Sequence, residues 1–150
     1  MTAPKKPANS LGYLAETLGF PVRLVQVEIF KDFALAMGEL GVTPAIFSVM
    51  EVLRANPGIT QSKLAAIVKL DRSSVVPLLD KLEKRGIVAR RTSTTDRRHN
   101  HLDLTDDGAQ LLELATERVR IHNERFISPL SAQERKTLIV LLNKLTASRG

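Results

Sequence analysis

The chain contains no cysteine and no tryptophan, and aromatic residues make up 4% of its 150 positions. The missing cysteines exclude disulfides, thiolate metal sites and thiol-based redox sensing, and they suit a cytosolic, that is cytoplasmic, protein. So few rings leave little material for the stacking surface by which single-stranded nucleic acids are held. No apolar run reaches the roughly 18 residues that a membrane span needs. The opening MTAPKKPANS has two lysines but no apolar stretch behind them, so it does not read as a secretory leader. Residues 1–9 are expected to be a flexible tail. The sequence also lacks HExxH, GxSxG, GxGxxG and GxxxxGK, and its acids form no isolated catalytic pair, so the chain is expected not to be an enzyme.

What remains is globular in composition, 43% hydrophobic and 25% charged, and about one domain long. The net charge of +6 is concentrated. Between Gln61 and His101 there are ten basic residues and four acidic ones, so this stretch holds the whole excess. A localised positive field suits a polyanionic partner.

Hydrophobic spacing predicts a mainly helical fold. Residues 10–40 read as helix: Leu11, Leu14 and Leu18 repeat at helical spacing, and the stripe resumes at Val22, Val25, Ile29, Phe33, Ala36 and Leu40. Pro21 should kink this region or begin a new helix, and Gly41 should stop it. Thr43-Pro44 opens a second helix, an N-cap followed by proline, which Asn56-Pro57-Gly58 ends. Thr60 caps a short helix from Gln61 to about Val68. Asp71, Ser73 or Ser74 caps the next, whose Val75, Leu78, Leu79 and Leu82 form one buried face. Pro77 costs about 3 kcal/mol inside a helix, which favours a late start at Ser74 or a local kink. Gly86 closes that helix, and two strands follow, around Ile87-Val88-Ala89 and around Leu102 and Leu104, joined by a polar tip. Thr105 caps a long helix with Asp106 and Asp107 at its positive end and a seam of Leu112, Ala115, Val119, His122 and Phe126. Ser131 caps a last helix with the stripe Leu138, Leu141, Leu142 and Leu145.

Short helix, turn, helix and basic-tipped hairpin, in that order, make a winged helix-turn-helix, which presents its second helix to a DNA major groove. The outward residues of that helix are Arg72, Ser73, Val76, Pro77, Asp80 and Lys81. Arg72 can donate two hydrogen bonds to a guanine edge, Ser73 and Ser74 can bond phosphates or bases, and Val76 or Pro77 can touch a thymine methyl. Gln61, Ser62 and Lys63 stand at a helix N-terminus suited to a phosphate. Arg90, Arg91, Arg97 and Arg98 flank the hairpin tip, from which arginines can enter a minor groove.

The runs LDRSSVVPLLDKLEKRGIVARR and DRRHNHLDLTDDG resemble the MarR family of transcription regulators, and the likeness extends more loosely over most of the chain. The resemblance implies a homodimer whose entwined N- and C-terminal helices (residues 10–40 and 105–150) carry two winged lobes (residues 41–104). Together the two lobes would read a pseudo-palindromic operator on double-stranded DNA. It implies that Asp96 orients a wing arginine, here Arg98. It further implies repression relieved by a small effector, an aromatic acid or its acyl-CoA thioester, without a resident cofactor. Candidate effector contacts are Phe20, Arg23, Phe30, Phe47, Met50, Arg54, Arg118 and His122, with Lys31, Arg120 and Arg125 as further cations for a CoA. Two other classes compete: a protein-interaction module that reuses the winged fold, and an architectural DNA binder that ignores ligands. His99 and His101 share a strand face but lack the further ligands of a metal site, so no metal is expected. His122 in an apolar seam reads first as a packed, hydrogen-bonded histidine.

Overall fold

The computed structural model describes residues 10–92 and 100–147. A short 3-10 turn, Gly12–Glu16, precedes helix α1, Gly19–Met37. Residues 10–40 are thus not one helix, and of the two alternatives for Pro21 the second holds, a new helix beginning beside it. Pro21 is the third residue of α1, where no intrahelical donor is lost. The stop also falls earlier than Gly41. Gly38 takes the C-cap of α1 with φ +50°, and a further 3-10 turn, Gly38–Leu40, leads to Gly41.

Helix α2, Pro44–Ala55, begins as its cap predicts, with Thr43 Oγ1 accepting the Ile46 N–H at 3.2 Å. It buries Ile46, Val49, Met50 and Leu53. Helix α3, Gln61–Val68, follows Thr60, and helix α4, Arg72–Lys84, starts at Arg72. Asp71 caps α4 by accepting the Ser74 N–H at 2.7 Å. A start at Ser74 is therefore ruled out. Pro77 is the sixth residue of α4, well inside it, and the Ser73 carbonyl has no N–H to receive there. Gly86, with φ +70°, ends the helix: its N–H reaches Glu83 O at 2.9 Å, and the Ile87 N–H reaches Leu82 O at 2.9 Å.

The expected two-stranded hairpin is a three-stranded antiparallel sheet. Strands β1 (Ile59–Thr60), β2 (Val88–Thr92) and β3 (Asn100–Leu104) lie in the order β1-β3-β2, with Ile59 opposite Leu102 and Val88 opposite Leu104. Helix α5, Asp106–Phe126, packs on α1 and α2 with Leu112 and Ala115 fully buried. Its cap is a junction. Thr105 Oγ1 accepts the Gly108 N–H at 3.0 Å and donates to Gly86 O at 2.6 Å, which ties α5 to the turn behind α4. Helix α6, Ala132–Ala147, buries no residue. No single helix among the described residues is long and apolar enough to cross a membrane.

Candidate nucleic-acid interface and interhelix cleft

Helices α3 and α4 meet across the turn around Leu70, and their N-termini frame a small cleft of about 240 Å³ between Gln61, Ser62, Ala65 and Arg72. The fold thus brings together three residues singled out for phosphate or base contact. Arg72, Lys81 and Lys84 on α4, Lys63 on α3 and Lys69 at its C-cap are exposed and form no ion pair among the described residues. Ser73 donates its hydroxyl to Asp71 Oδ1 at 2.7 Å. Hydrogen bonds from Ser73 and then Ser74 hold the Asp71 carboxyl below its ordinary range. The cap therefore keeps a charge at the N-terminus of α4, and Ser73 and Ser74 are partly committed to it. Val76 is half-buried against the core, whereas Pro77 is exposed.

Not all the basic residues of this stretch face outward. Arg85 donates to Gly41 O at 2.8 Å and Leu40 O at 3.0 Å, clamping the end of α4 to the α1–α2 connection. Arg90, expected at the duplex, is instead drawn back onto α4. Its Nη1 lies 2.6 Å from Asp80 Oδ1 and 2.8 Å from Glu83 Oε2, because these acids, three residues apart, share the helix face beside β2. Arg91 remains 70% exposed while pairing with Asp103, whose other oxygen accepts the Gly58 N–H at 2.9 Å. Asp96, Arg97, Arg98 and His99 lie outside the described residues. His101, on the central strand β3, has Nδ1 2.7 Å from Gly58 O.

A second concavity, about 510 Å³, opens between α1 and α5. Leu35, Ala36 and Ile121 give it apolar walls, and Asp32, Arg118, His122 and Arg125 line it with polar groups. His122 is 5% exposed, and its Nδ1 lies 2.8 Å from Asp32 Oδ2. Its ring meets Phe33 edge-on, with centroids 5.9 Å apart. The packed histidine expected from the seam is therefore also a wall of the cleft. Arg125 Nη2 sits 2.5 Å from Asp32 Oδ1. The Asp32 carboxyl is held below its ordinary range, first by Arg125 and then by His122. Arg118 donates to Met37 O at 2.7 Å.

Of the candidate effector contacts, only Arg118 and His122 line this cleft, together with Arg125 from the cation set. Met50 is completely buried in the core, and Phe47, half-buried, packs edge-on to Phe33; neither lines the cleft. Phe20, Arg23 and Phe30, also on α1, do not line it. Arg54 pairs with Glu51 at 2.6 Å on α2. Asp32, Leu35, Ala36 and Ile121 went unrecognised. Asp32 and His122 are 90 positions apart, a separation across which helical periodicity carries no signal.

The family model for MarR matches residues 42–99. A transcriptional regulatory protein assigned to the hcr operon of Thauera aromatica is 40% identical over 147 residues, covering 93% of this chain and 89% of the relative. The chain belongs to the MarR family. Its architecture is that of MarR-type transcription regulators with solved structures. The repressor CouR bound to a 23-mer DNA duplex is 35% identical, with a TM-score of 0.88 over 93% of this chain and 99% of that one. CouR bound to p-coumaroyl-CoA is 33% identical, with a TM-score of 0.85 over 91% of this chain and 96% of that one. This chain is accordingly a MarR-type transcription regulator.

Proposed function

We propose that this regulator is a homodimeric repressor that occupies an operator and leaves it when an anionic effector, an aromatic acid or its acyl-CoA thioester, enters the cleft between α1 and α5. The observation that carries the reading is the pairing of two sites in one chain. One is an exposed basic face on α3 and α4, and the other is a cleft that combines apolar walls with Arg118, His122 and Arg125. The two solved states of CouR, with DNA and with an acyl-CoA, support such a pairing.

On this reading Arg72, Ser73, Ser74, Pro77 and Lys81 approach the major groove, and Gln61, Ser62 and Lys63 hold a phosphate. Val76, half-buried against the core, has only part of its side chain to offer. Arg91, Asp96, Arg97 and Arg98 form the wing that follows the minor groove. Two lobes would read half-sites about 34 Å apart. A coupling of about 1–3 kcal/mol between cleft and lobe spacing is enough to release DNA over a several-fold range of affinity.

Titrating a duplex from the region upstream of the protein's own coding sequence, at several salt concentrations, tests the first half. Affinity should fall steeply as salt rises, because each neutralised phosphate releases counterions. Adding p-coumaroyl-CoA or the free acid tests the second half by displacing the duplex. Salt-independent binding, or equal affinity for random DNA, would remove the operator reading; indifference to every acyl-CoA and aromatic acid would remove the effector.

A further inference from the structure

Arg90 is the third residue of β2, and its side chain is only 21% exposed. Nη1 is shared between Asp80 and Glu83, and Nε is buried without a hydrogen-bond partner. Burying a guanidinium nitrogen unsatisfied carries a cost, so the pairing must outweigh it. The two carboxylates it meets remain 48% and 43% exposed. Both project from α4, and Asp80 lies three positions beyond Pro77 and next to Lys81. Two negative charges thus stand on the element whose exposed cations point outward. A reach by Arg90 toward a phosphate would give up two ion pairs for one and leave both carboxylates facing a polyanion.

We propose that Arg90 is a charge mask: its single positive charge, shared between Asp80 and Glu83, halves the negative charge they turn toward the phosphates which α4 approaches, and it does not itself touch DNA. This rests on the operator reading above. Like charges juxtaposed at an interface cost several kcal/mol, which is why a cation committed to its own chain can matter for binding. The mask also accounts for the side chain's place: β2 runs alongside the acids' face of α4, so a guanidinium from its third residue meets both.

The test is DNA affinity, measured by fluorescence anisotropy on the upstream duplex, with circular dichroism melting for each variant. The Asp80→Asn/Glu83→Gln double variant keeps oxygen acceptors for the guanidinium but loses both charges, and it should bind several-fold tighter than the wild type. Arg90→Met should bind about tenfold more weakly. The triple variant should return to wild-type affinity or better. If Arg90 contacted a phosphate, the triple variant would stay weak and its salt slope would fall by about 0.9. If Arg90 only tied β2 to α4, the triple variant would stay weak with a lowered melting temperature, and the double variant would not tighten. Either result overturns the mask. Should Arg90→Met fail to fold, Arg90→Gln replaces it in the single and triple variants, with the same outcomes read. Wild-type protein that binds no duplex overturns the operator reading and the mask together, whereas salt-sensitive wild-type binding with an unaltered double variant overturns the mask only.

Discussion

At Gly108 one methyl group is too many. A Cβ built there would stand 2.3 Å from the Ile87 carbonyl oxygen and 2.9 Å from Leu104 Cδ1. The first of these is backbone and cannot swing aside. Alanine favours a helix over glycine by about 1 kcal/mol, but overpacking of this kind costs about 1–3 kcal/mol, so Gly108→Ala should lower the urea midpoint; an unchanged or raised midpoint would contradict the contact. Asp32 makes a second residue-level case. Hydrogen bonds from Arg125 and then His122 depress its folded pKa below the ordinary carboxylate value of 3.8. Its contribution to stability is therefore complete above that value and is lost as pH falls through the lower folded value. Asp32→Asn should lower the melting temperature at neutral pH and flatten the loss between pH 4 and 2, as followed by thermal melts across that range. A parallel offset at every pH would show that the carboxylate's ionisation is irrelevant.

Helix α4 shows how function and helix physics pull against each other. An interior proline forfeits about 3 kcal/mol relative to alanine, and here the lost bond is the one to the Ser73 carbonyl. Pro77→Ala should raise the melting temperature while altering DNA affinity, and a lowered melting temperature would mean that the ring is packed rather than tolerated. The same helix marks what sequence patterns can convey. The buried face at Val75, Leu79 and Leu82, the Gly86 stop and the Thr43, Thr60 and Thr105 caps were all readable, because each depends on residues within one or two turns. The start at Arg72 was not favoured, although Asp71 stood among the candidate caps, because an interior proline's penalty was given more weight than the cap. Strand β1 was missed because two residues are too few to alternate. The pairing of Arg90 was not legible because its partners lie on another element, and charge counting along the chain cannot see a pair that closes in space.

The whole molecule leaves a large apolar surface uncovered. Leu138, Leu141, Leu142 and Leu145 on α6 are 42–52% exposed, and Leu14, Leu18, Val22 and Val25 near the N-terminus are 46–60% exposed. Surfaces of this extent mark interaction sites, and the proposed dimer would cover them. Leu138→Glu with Leu142→Glu should shift sedimentation from dimer to monomer and abolish tight operator binding; a dimer that persists would locate the interface elsewhere. At the wing, Arg97→Ala with Arg98→Ala should weaken binding and reduce the salt slope by about 1.8 if both meet phosphates or the groove between them, at about 0.9 per contact. A lost dimer instead would assign those arginines to assembly.

Helix α5 runs 21 residues without interruption, about 31 Å at 1.5 Å per residue. One end is gripped by Thr105 at the exit of α4, and the other carries Arg118, His122 and Arg125 in the cleft. A rod of that length, turned by about 2° about its cleft end, carries its Thr105 end and the turn tied to it by about 1 Å. On the proposed effector reading, amplification would therefore need no melting of any segment, only a stiff lever pivoting at the cleft.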